Sequence, residues 1–329
     1  AASHRLLDHY LHTGAVAARL FDPHRDPITL PPPAPGVTPE PVDDHAAALA
    51  WYTVEHPVLL AAVDLAAGSG FDSHSWRLAE ALTGFFFRRG HWHDQAATQR
   101  AALSALDRLG NRADQPAVHR DLARAYTQLG RFEEAEHHFR RALELSREFD
   151  DPTGEARTHL NLAWLYGKLD RRAEAIRHAG QALDLYRAAL HQSGQAEALN
   201  SVGWCHAMVG DYQLALVHCQ RALALHQRLG HRHGEAAAWD SLGYAHHHLG
   251  HHQDAIGCYR HALGLARDLD DRLHEAIALG HLGDVHRAAG DSGAARDHWR
   301  QALAILEELD HPDAEQVRTK LAELPPTSA

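Results

Sequence analysis

Leu122-Ala-Arg-Ala-Tyr-Thr-Gln-Leu-Gly130 runs directly into Arg131-Phe-Glu-Glu-Ala-Glu-His-His-Phe-Arg-Arg-Ala-Leu143, and this stretch decides the fold. Leu122, Ala123 and Tyr126 fall at helical spacing before Gly130, and Ala135, Phe139 and Ala142 follow at i, i+4 and i+7. Two amphipathic helices joined by a short turn account for both periodicities. A small residue is needed where the helices cross closely, the aromatic fills the gap beside it, and glycine accepts the left-handed conformation that ends the first helix.

The same frame recurs every forty residues. Gly90, Gly130, Asp170, Gly210, Gly250 and Gly290 share the turn, and Leu103, Leu143, Leu183, Leu223, Leu263 and Leu303 each follow an alanine. Gly154-Glu-Ala, Gly194-Gln-Ala, Gly234-Glu-Ala and His274-Glu-Ala open the first helix of four units. The pattern resembles the tetratricopeptide repeat, with a unit of forty residues rather than roughly thirty-four. The spacing predicts six repeats at about 73–110, 114–150, 154–190, 194–230, 234–270 and 274–310, and a capping helix with a tail over 311–329. One hairpin cannot bury its own apolar face. The expected fold is therefore all-α, a continuous right-handed superhelical solenoid whose first helices line a concave groove.

The N-terminal part differs. Eight of the fourteen prolines lie between Asp22 and Pro41, so residues 1–42 read as a helix, Ser3 to Leu20, followed by an extended connector. Leu6, Leu7, Tyr10, Leu11 and Val16 form the apolar side of that helix, which lacks an evident partner, as in a chain cut from a longer protein. Residues 43–72 read as a helix pair broken near Pro57 and docked on the array.

Composition narrows the function classes. Of 329 residues 45% are hydrophobic and no run approaches the roughly 18 apolar residues of a membrane span, so a soluble, cytoplasmic protein is expected. The net charge of -11 argues against direct nucleic-acid binding. There is no G-x-x-x-x-G-K-[ST], H-E-x-x-H or G-x-S-x-G, and the lysines are Lys168 and Lys320 alone, so no enzymatic role and no cofactor is expected within this chain. Cys205, Cys219 and Cys258 read as core fillers, Cys219 in the slot of Phe139 and Tyr259. Histidine is in excess, at 31 residues. His247 with His251 and His248 with His252 have chelating spacing, but no acidic residue is placed beside them, and no metal site is assigned. His206, His246 and His286 occupy the slot of Tyr126 and Tyr166, where half-buried neutral imidazoles predict an acid-labile fold.

Function is expected in the groove. Inward positions, counted from the small residue of each first helix, are Arg120, Arg124, Arg157, Asn161, Trp164, Lys168, Asn200, Trp204, Asp240, Tyr244, His247 and His248. Trp164, Trp204 and Tyr244 share one position in successive repeats and predict an aromatic ladder, suited to an extended peptide or partner helix or to packing between repeats. Arg77, Arg88, Arg120, Arg124, Arg157 and Lys168 precede Glu197, Asp240 and Asp284, so a basic-to-acidic gradient is expected along it.

Arg5-Leu-Leu-Asp-His-Tyr-Leu-His-Thr13, Leu20-Phe-Asp-Pro-His-Arg25, Pro32-Pro-Ala-Pro-Gly-Val37, Ala50-Trp-Tyr-Thr-Val-Glu55 and Phe87-Arg-Arg-Gly-His-Trp-His-Asp94 resemble the C-terminal region of actinobacterial regulators of the Streptomyces antibiotic regulatory protein type, AfsR-like in organisation. Ala238-Trp-Asp-Ser-Leu-Gly-Tyr-Ala-His246 and Cys258-Tyr-Arg-His-Ala-Leu263 fit the same family. The resemblance implies a sensor arm of a transcriptional regulator of secondary metabolism. A winged-helix DNA-binding domain, an activation domain and an NB-ARC-type ATPase that binds ATP would then lie on absent segments. The implied partners are that upstream ATPase domain and a peptide, protein or small-molecule effector. A constitutive scaffold or dimerisation module, and a stand-alone peptide receptor, are the competing classes.

Overall fold

The structure, a computed structural model, describes residues 2–21, 23 and 28–324. Part of the Pro-rich connector, residues 22 and 24–27, and the tail 325–329 lie outside them. The described residues form fifteen α-helices and no strand. They are α1 (Ala2–Phe21), α2 (His45–Gly68), α3 (Asp72–Arg89), α4 (Trp92–Leu109), α5 (Gln115–Gln128), α6 (Phe132–Glu148), α7 (Pro152–Lys168), α8 (Arg172–Ala188), α9 (Gln192–Met208), α10 (Tyr212–Leu229), α11 (Arg232–His248), α12 (His252–Asp268), α13 (Arg272–Ala288), α14 (Ser292–Glu308) and α15 (Ala314–Ala322). The six predicted hairpins are α3–α4 to α13–α14, and α15 caps α14. The fold is a solenoid of tetratricopeptide-type hairpins with a forty-residue period. The period alone predicts one array, whereas the chain divides into two compact units, Ala1–Asp150 and Asp151–Ala329. The boundary falls where a left-handed Asp150 ends α6 and Pro152 opens α7.

In the first unit α1 is not orphaned. Leu7, Leu11, Ala17 and Phe21 pack with Tyr52, Leu59 and Val63 of α2 and Leu82, Phe85 and Phe86 of α3. Leu6 and Val16 are exposed, so the buried stripe is narrower than the sequence suggests. The Tyr52 hydroxyl lies 3.0 Å from the Gly14 carbonyl and 2.9 Å from that of Ala81, tying α1 to α3. The described connector lies along α1: Ala34 N–H donates to Asp8 at 2.7 Å and Glu40 N–H to Thr13 Oγ1 at 3.0 Å.

Residues 43–72 hold one helix rather than a broken pair. Pro57 withholds a single N–H from the carbonyl of Thr53, and Thr53 is exposed, so water can take the place of the missing donor. α2 is long and apolar enough to cross a bilayer, but here Trp51, Tyr52, Leu59 and Val63 belong to the core shared with α1 and α3.

Every hairpin helix ends in the same way. Gly90, Gly110, Gly130, Asp150, Asp170, Leu190, Gly210, Gly230, Gly250, Asp270, Gly290 and Asp310 all have positive φ, so the turn recurs every twenty residues and the forty-residue unit is two near-equal halves. After all but Asp150, an N–H reaches back over the last turn, as from Arg131 to Tyr126 O and from Arg171 to Tyr166 O, both at 2.8 Å.

Within hairpins the small position governs approach. A Cβ on Gly243 would stand 2.7 Å from the Tyr259 ring, and one on Gly203 or Gly283 would overlap Cys219 or Trp299. Cys219, Tyr259 and Trp299 are all buried against these glycines.

Histidine enters the same seams. His119 and His138 face each other Nδ1 to Nδ1 at 2.8 Å, and His159 and His178 repeat the arrangement at 2.7 Å. His286 stacks on His298 with ring centroids 5.2 Å apart, and His206 on His218 at 5.8 Å. One nitrogen of each hydrogen-bonded pair must donate and the other accept, which a doubly protonated pair cannot do. Burial, then the charge of His138, pushes His119 down to about 3. Burial likewise lowers His138, His218, His246 and His286.

Leu190 is 83% exposed yet sits at φ 54. Leu190→Gly removes a left-handed strain of about 1–2 kcal/mol, less the added freedom of the unfolded chain. A net gain of about 0.5–1 kcal/mol in urea unfolding is expected. Gly243→Ala overpacks the Tyr259 contact and loses about 1–3 kcal/mol. The control Gly264→Ala, on an exposed helix face with nothing within 4 Å, gains up to about 1 kcal/mol.

Stability also depends on pH with a defined sign. Groups with folded pKa values below the unfolded His value of about 6.5 contribute fully above it. As pH falls the unfolded chain takes up more protons and that stability is lost. His281, raised by Asp240, acts oppositely but alone among the shifted histidines. The melting temperature is therefore expected to be lower at pH 5.5 than at pH 8, by about 2–4 °C per kcal/mol for a domain of this size. An equal or higher midpoint at pH 5.5 would show that the imidazoles are not held neutral.

Candidate functional site

In the second unit the first helices α7, α9, α11 and α13 contact one another in order, so side chains on one face of each form a continuous row. Trp164, Trp204 and Tyr244 lie in that row and are half-buried, unlike the core indoles Trp92 and Trp299. The Trp204 and Tyr244 rings meet at 4.9 Å, tilted by 57°. Tyr244 continues to His248 at 4.3 Å, and His248 stacks on Tyr212 of α10 at 5.1 Å. At Trp164 the ring carries the Lys168 ammonium, 5.9 Å from its centroid. Thus the two later positions of the predicted ladder share a direct ring contact, while the first is a cation–π pair. Burial raises the Tyr244 phenol, which stays a neutral donor.

Polar groups interleave with these rings. Arg157, Asn161 and Asn200 are half-buried, and the Asn200 Oδ1 is buried without a hydrogen-bond partner. His247 Nδ1 is likewise buried and unpartnered. Asp240 is not a free acidic group: His281 Nδ1 lies 2.8 Å from its carboxylate. Burial opposes charge on His281, but Asp240 outweighs it and raises the imidazole. Asp284 is held by Lys320 at 2.8 Å and by the Trp299 indole N–H at 3.2 Å. The acidic end of the expected gradient is therefore largely neutralised. At the basic end Arg88 is buried, donating to the Phe21 carbonyl at 2.6 Å, so it belongs to the core.

Arg120 and Arg124 lie in the first unit, where Arg124 stacks 4.0 Å over Phe87 and pairs with Asp121 at 3.6 Å. That unit holds a cavity of about 240 Å³ between α3, α4, α5 and the connector, lined by Trp76, Arg77, Gln99, Val118, Ile28 and Thr29. Arg77 Nε and Gln99 Oε1 are buried there without partners. No sequence signal marks this cavity, because the connector supplies part of its wall.

The histidine cluster also differs from its expected pairing. His246 and His251 approach at 3.5 Å, and His247 faces His252 at 5.7 Å, because the left-handed Gly250 shifts the register away from i, i+4. Asp254 joins His246 and His251, supplying the carboxylate not foreseen beside them. His281, which orders Asp240 from one repeat further on, was legible only in the forty-residue frame. The three cysteines are buried, with thiols pushed up to about 12 for Cys205 and Cys219 and about 11 for Cys258, as inert core groups are.

The Tetratricopeptide repeat family profile matches residues 114–188 and 194–268. No curated protein matches the chain. Among solved structures, the Rap conjugation gene regulator of the plasmid pLS20, in complex with the Phr* peptide, is 19% identical with a TM-score of 0.65, covering 78% of this chain and 70% of that one. A Rap protein complexed with competence and sporulation factor is 14% identical with a TM-score of 0.59, covering 98% of this chain and 100% of that one. A Signal Transduction ATPase with Numerous Domains protein with a tetratricopeptide repeat sensor, from Pyrococcus horikoshii, is 16% identical with a TM-score of 0.52; the match covers 84% of this chain but 46% of that one. At these identities the likeness is one of fold, and that fold is the tetratricopeptide solenoid.

Proposed function

We propose that the chain is a sensor and protein-interaction module that binds an extended peptide, or a peptide-like segment of a partner, along the α7–α9–α11 face. The observation that carries this reading is the Trp204–Tyr244 contact on a half-buried face, beside an unpartnered buried Asn200 Oδ1. Aromatic surface supplies contact area, and the half-buried side-chain amides of Asn161 and Asn200 suit a peptide's backbone groups. The Rap regulator in complex with the Phr* peptide, which is similar in fold, supports a peptide as the class of ligand. The tetratricopeptide scaffold accounts for binding without catalysis, although one similar structure is an aspartyl phosphate phosphatase.

We further propose, on the sequence resemblance, that this module belongs to an actinobacterial regulator of secondary metabolism, with occupancy of the face biasing contact with an ATPase and DNA-binding part. The tetratricopeptide sensor of the Pyrococcus protein supports an ATPase context. A full reading frame without an upstream P-loop and winged helix would refute that assignment.

Trp204→Ala is the direct test. Binding of a peptide selected by display against the chain should weaken by about 2 kcal/mol or more, as for hot-spot aromatics, while the melting temperature changes little. Unchanged affinity in a folded variant would remove the face as a binding site. A stability loss of about 3–5 kcal/mol would instead make Trp204 a packing residue.

A further inference from the structure

Three groups of histidine and carboxylate ligands come together among the described residues: His4–Asp8–His74, His56–His91–Asp94 and His246–His251–Asp254. They are not equivalent. Asp8 is buried and already engaged twice, by the His74 Nε2, 2.7 Å away, and by the Ala34 N–H, also 2.7 Å away, so a cation would have to displace two bonds, against one in the second group. In the third group His251 and Asp254 are exposed, and water competes for every ligand.

The second group is built differently. His56 comes from the middle of α2, His91 from the turn before α4 and Asp94 from the first turn of α4. Their candidate ligand atoms all lie within 4.8 Å of one another. His56 Nε2 and the Asp94 carboxylate are 3.0 Å apart, and the His56 and His91 rings face each other at 4.3 Å. Phe85 and Phe86 wall the group, with ring centroids 5.7 and 5.3 Å from His56 and 5.5 and 6.1 Å from His91. His91 makes no side-chain hydrogen bond to another described residue. A half-buried imidazole with its nitrogens unspent, beside a second imidazole and a carboxylate and against an apolar wall, is a ligand arrangement in search of a cation.

We infer that His56, His91 and Asp94 form a binding site for a zinc-type divalent transition ion. Two imidazoles and one carboxylate are the three-ligand set that such ions take with a water in the fourth place. The bound ion would staple α2 to the α3–α4 hairpin and so couple the N-terminal helices to the first repeat. The chain has 31 histidines, so the test must separate this site from weak metal uptake elsewhere.

The probes are Zn²⁺ by calorimetric titration and Co²⁺ by visible absorption, on the chelator-stripped full chain. One tight equivalent, a low-coordinate Co²⁺ spectrum and a Zn²⁺-dependent rise in melting temperature are expected. Asp94→Asn and His91→Ala should each weaken the tight equivalent at least about a hundredfold, the upper range for loss of a mere outer-shell partner, while His74→Ala and His251→Ala leave it unchanged. Asp94→Asn preserves shape and a hydrogen-bond acceptor, so it reads the site even if His91→Ala does not fold. The inference is overturned if the chain shows only weak, multiple binding. It is overturned equally if the tight equivalent survives Asp94→Asn or disappears with His74→Ala or His251→Ala.

Discussion

The close approach of paired helices at one small residue is the constraint on which the hairpins depend. Gly203, Gly243 and Gly283 give up helix propensity of about 1 kcal/mol each relative to alanine, and in return Cys219, Tyr259 and Trp299 pack directly on backbone. Side chains of such different volume in one slot require compensation around it. The partner helix can stay at the same pitch only because the facing residue has no Cβ. The left-handed residue every twenty positions serves the same end, returning each helix antiparallel at a fixed distance so that the small position meets its partner.

This arrangement leaves other positions freer, and histidine fills many of them. In the seams at His119–His138 and His159–His178 an imidazole replaces an apolar group without breaking packing, since each ring satisfies the other. The cost is sensitivity to protonation, because the low-polarity surroundings that suit a neutral ring disfavour the charged one. The same chemistry placed beside a carboxylate gives the opposite result: His281 is half-buried, yet Asp240 at 2.8 Å raises its imidazole. One residue type therefore serves as packing, as a counter-ion and, at His56 and His91, as a candidate ligand.

The α7–α9–α11 face, proposed above to bind a peptide, shows how a repeat array lines up side chains from separate hairpins. No single hairpin holds more than one rung of it. Trp204 and Tyr244 become neighbours only because their helices stack with the same face forward, and the ring contact joins successive repeats across the forty residues that separate them. The half-buried rings of Trp204 and Tyr244 set this face apart from the seams, whose aromatics Tyr259 and Trp299 are buried.

The repeat period, the hairpin, the small and aromatic slots and the helical ends were determined by the sequence itself, because each rests on local spacing and local backbone preference. The row containing Trp164, Trp204 and Tyr244 followed from the same period. What the tertiary structure decided was whatever depends on residues far apart in the chain. α1 has a partner because α2 and α3 return to it, and α2 runs unbroken through Pro57, where Thr53, whose carbonyl lacks its helical donor, is an exposed residue. Asp240 is paired with a residue on the next repeat, and His56 reaches His91 and Asp94 only through the packing of α2 on the first hairpin. Periodicity specifies which face of a helix is apolar; it carries no information on which distant charge or ligand that face will meet.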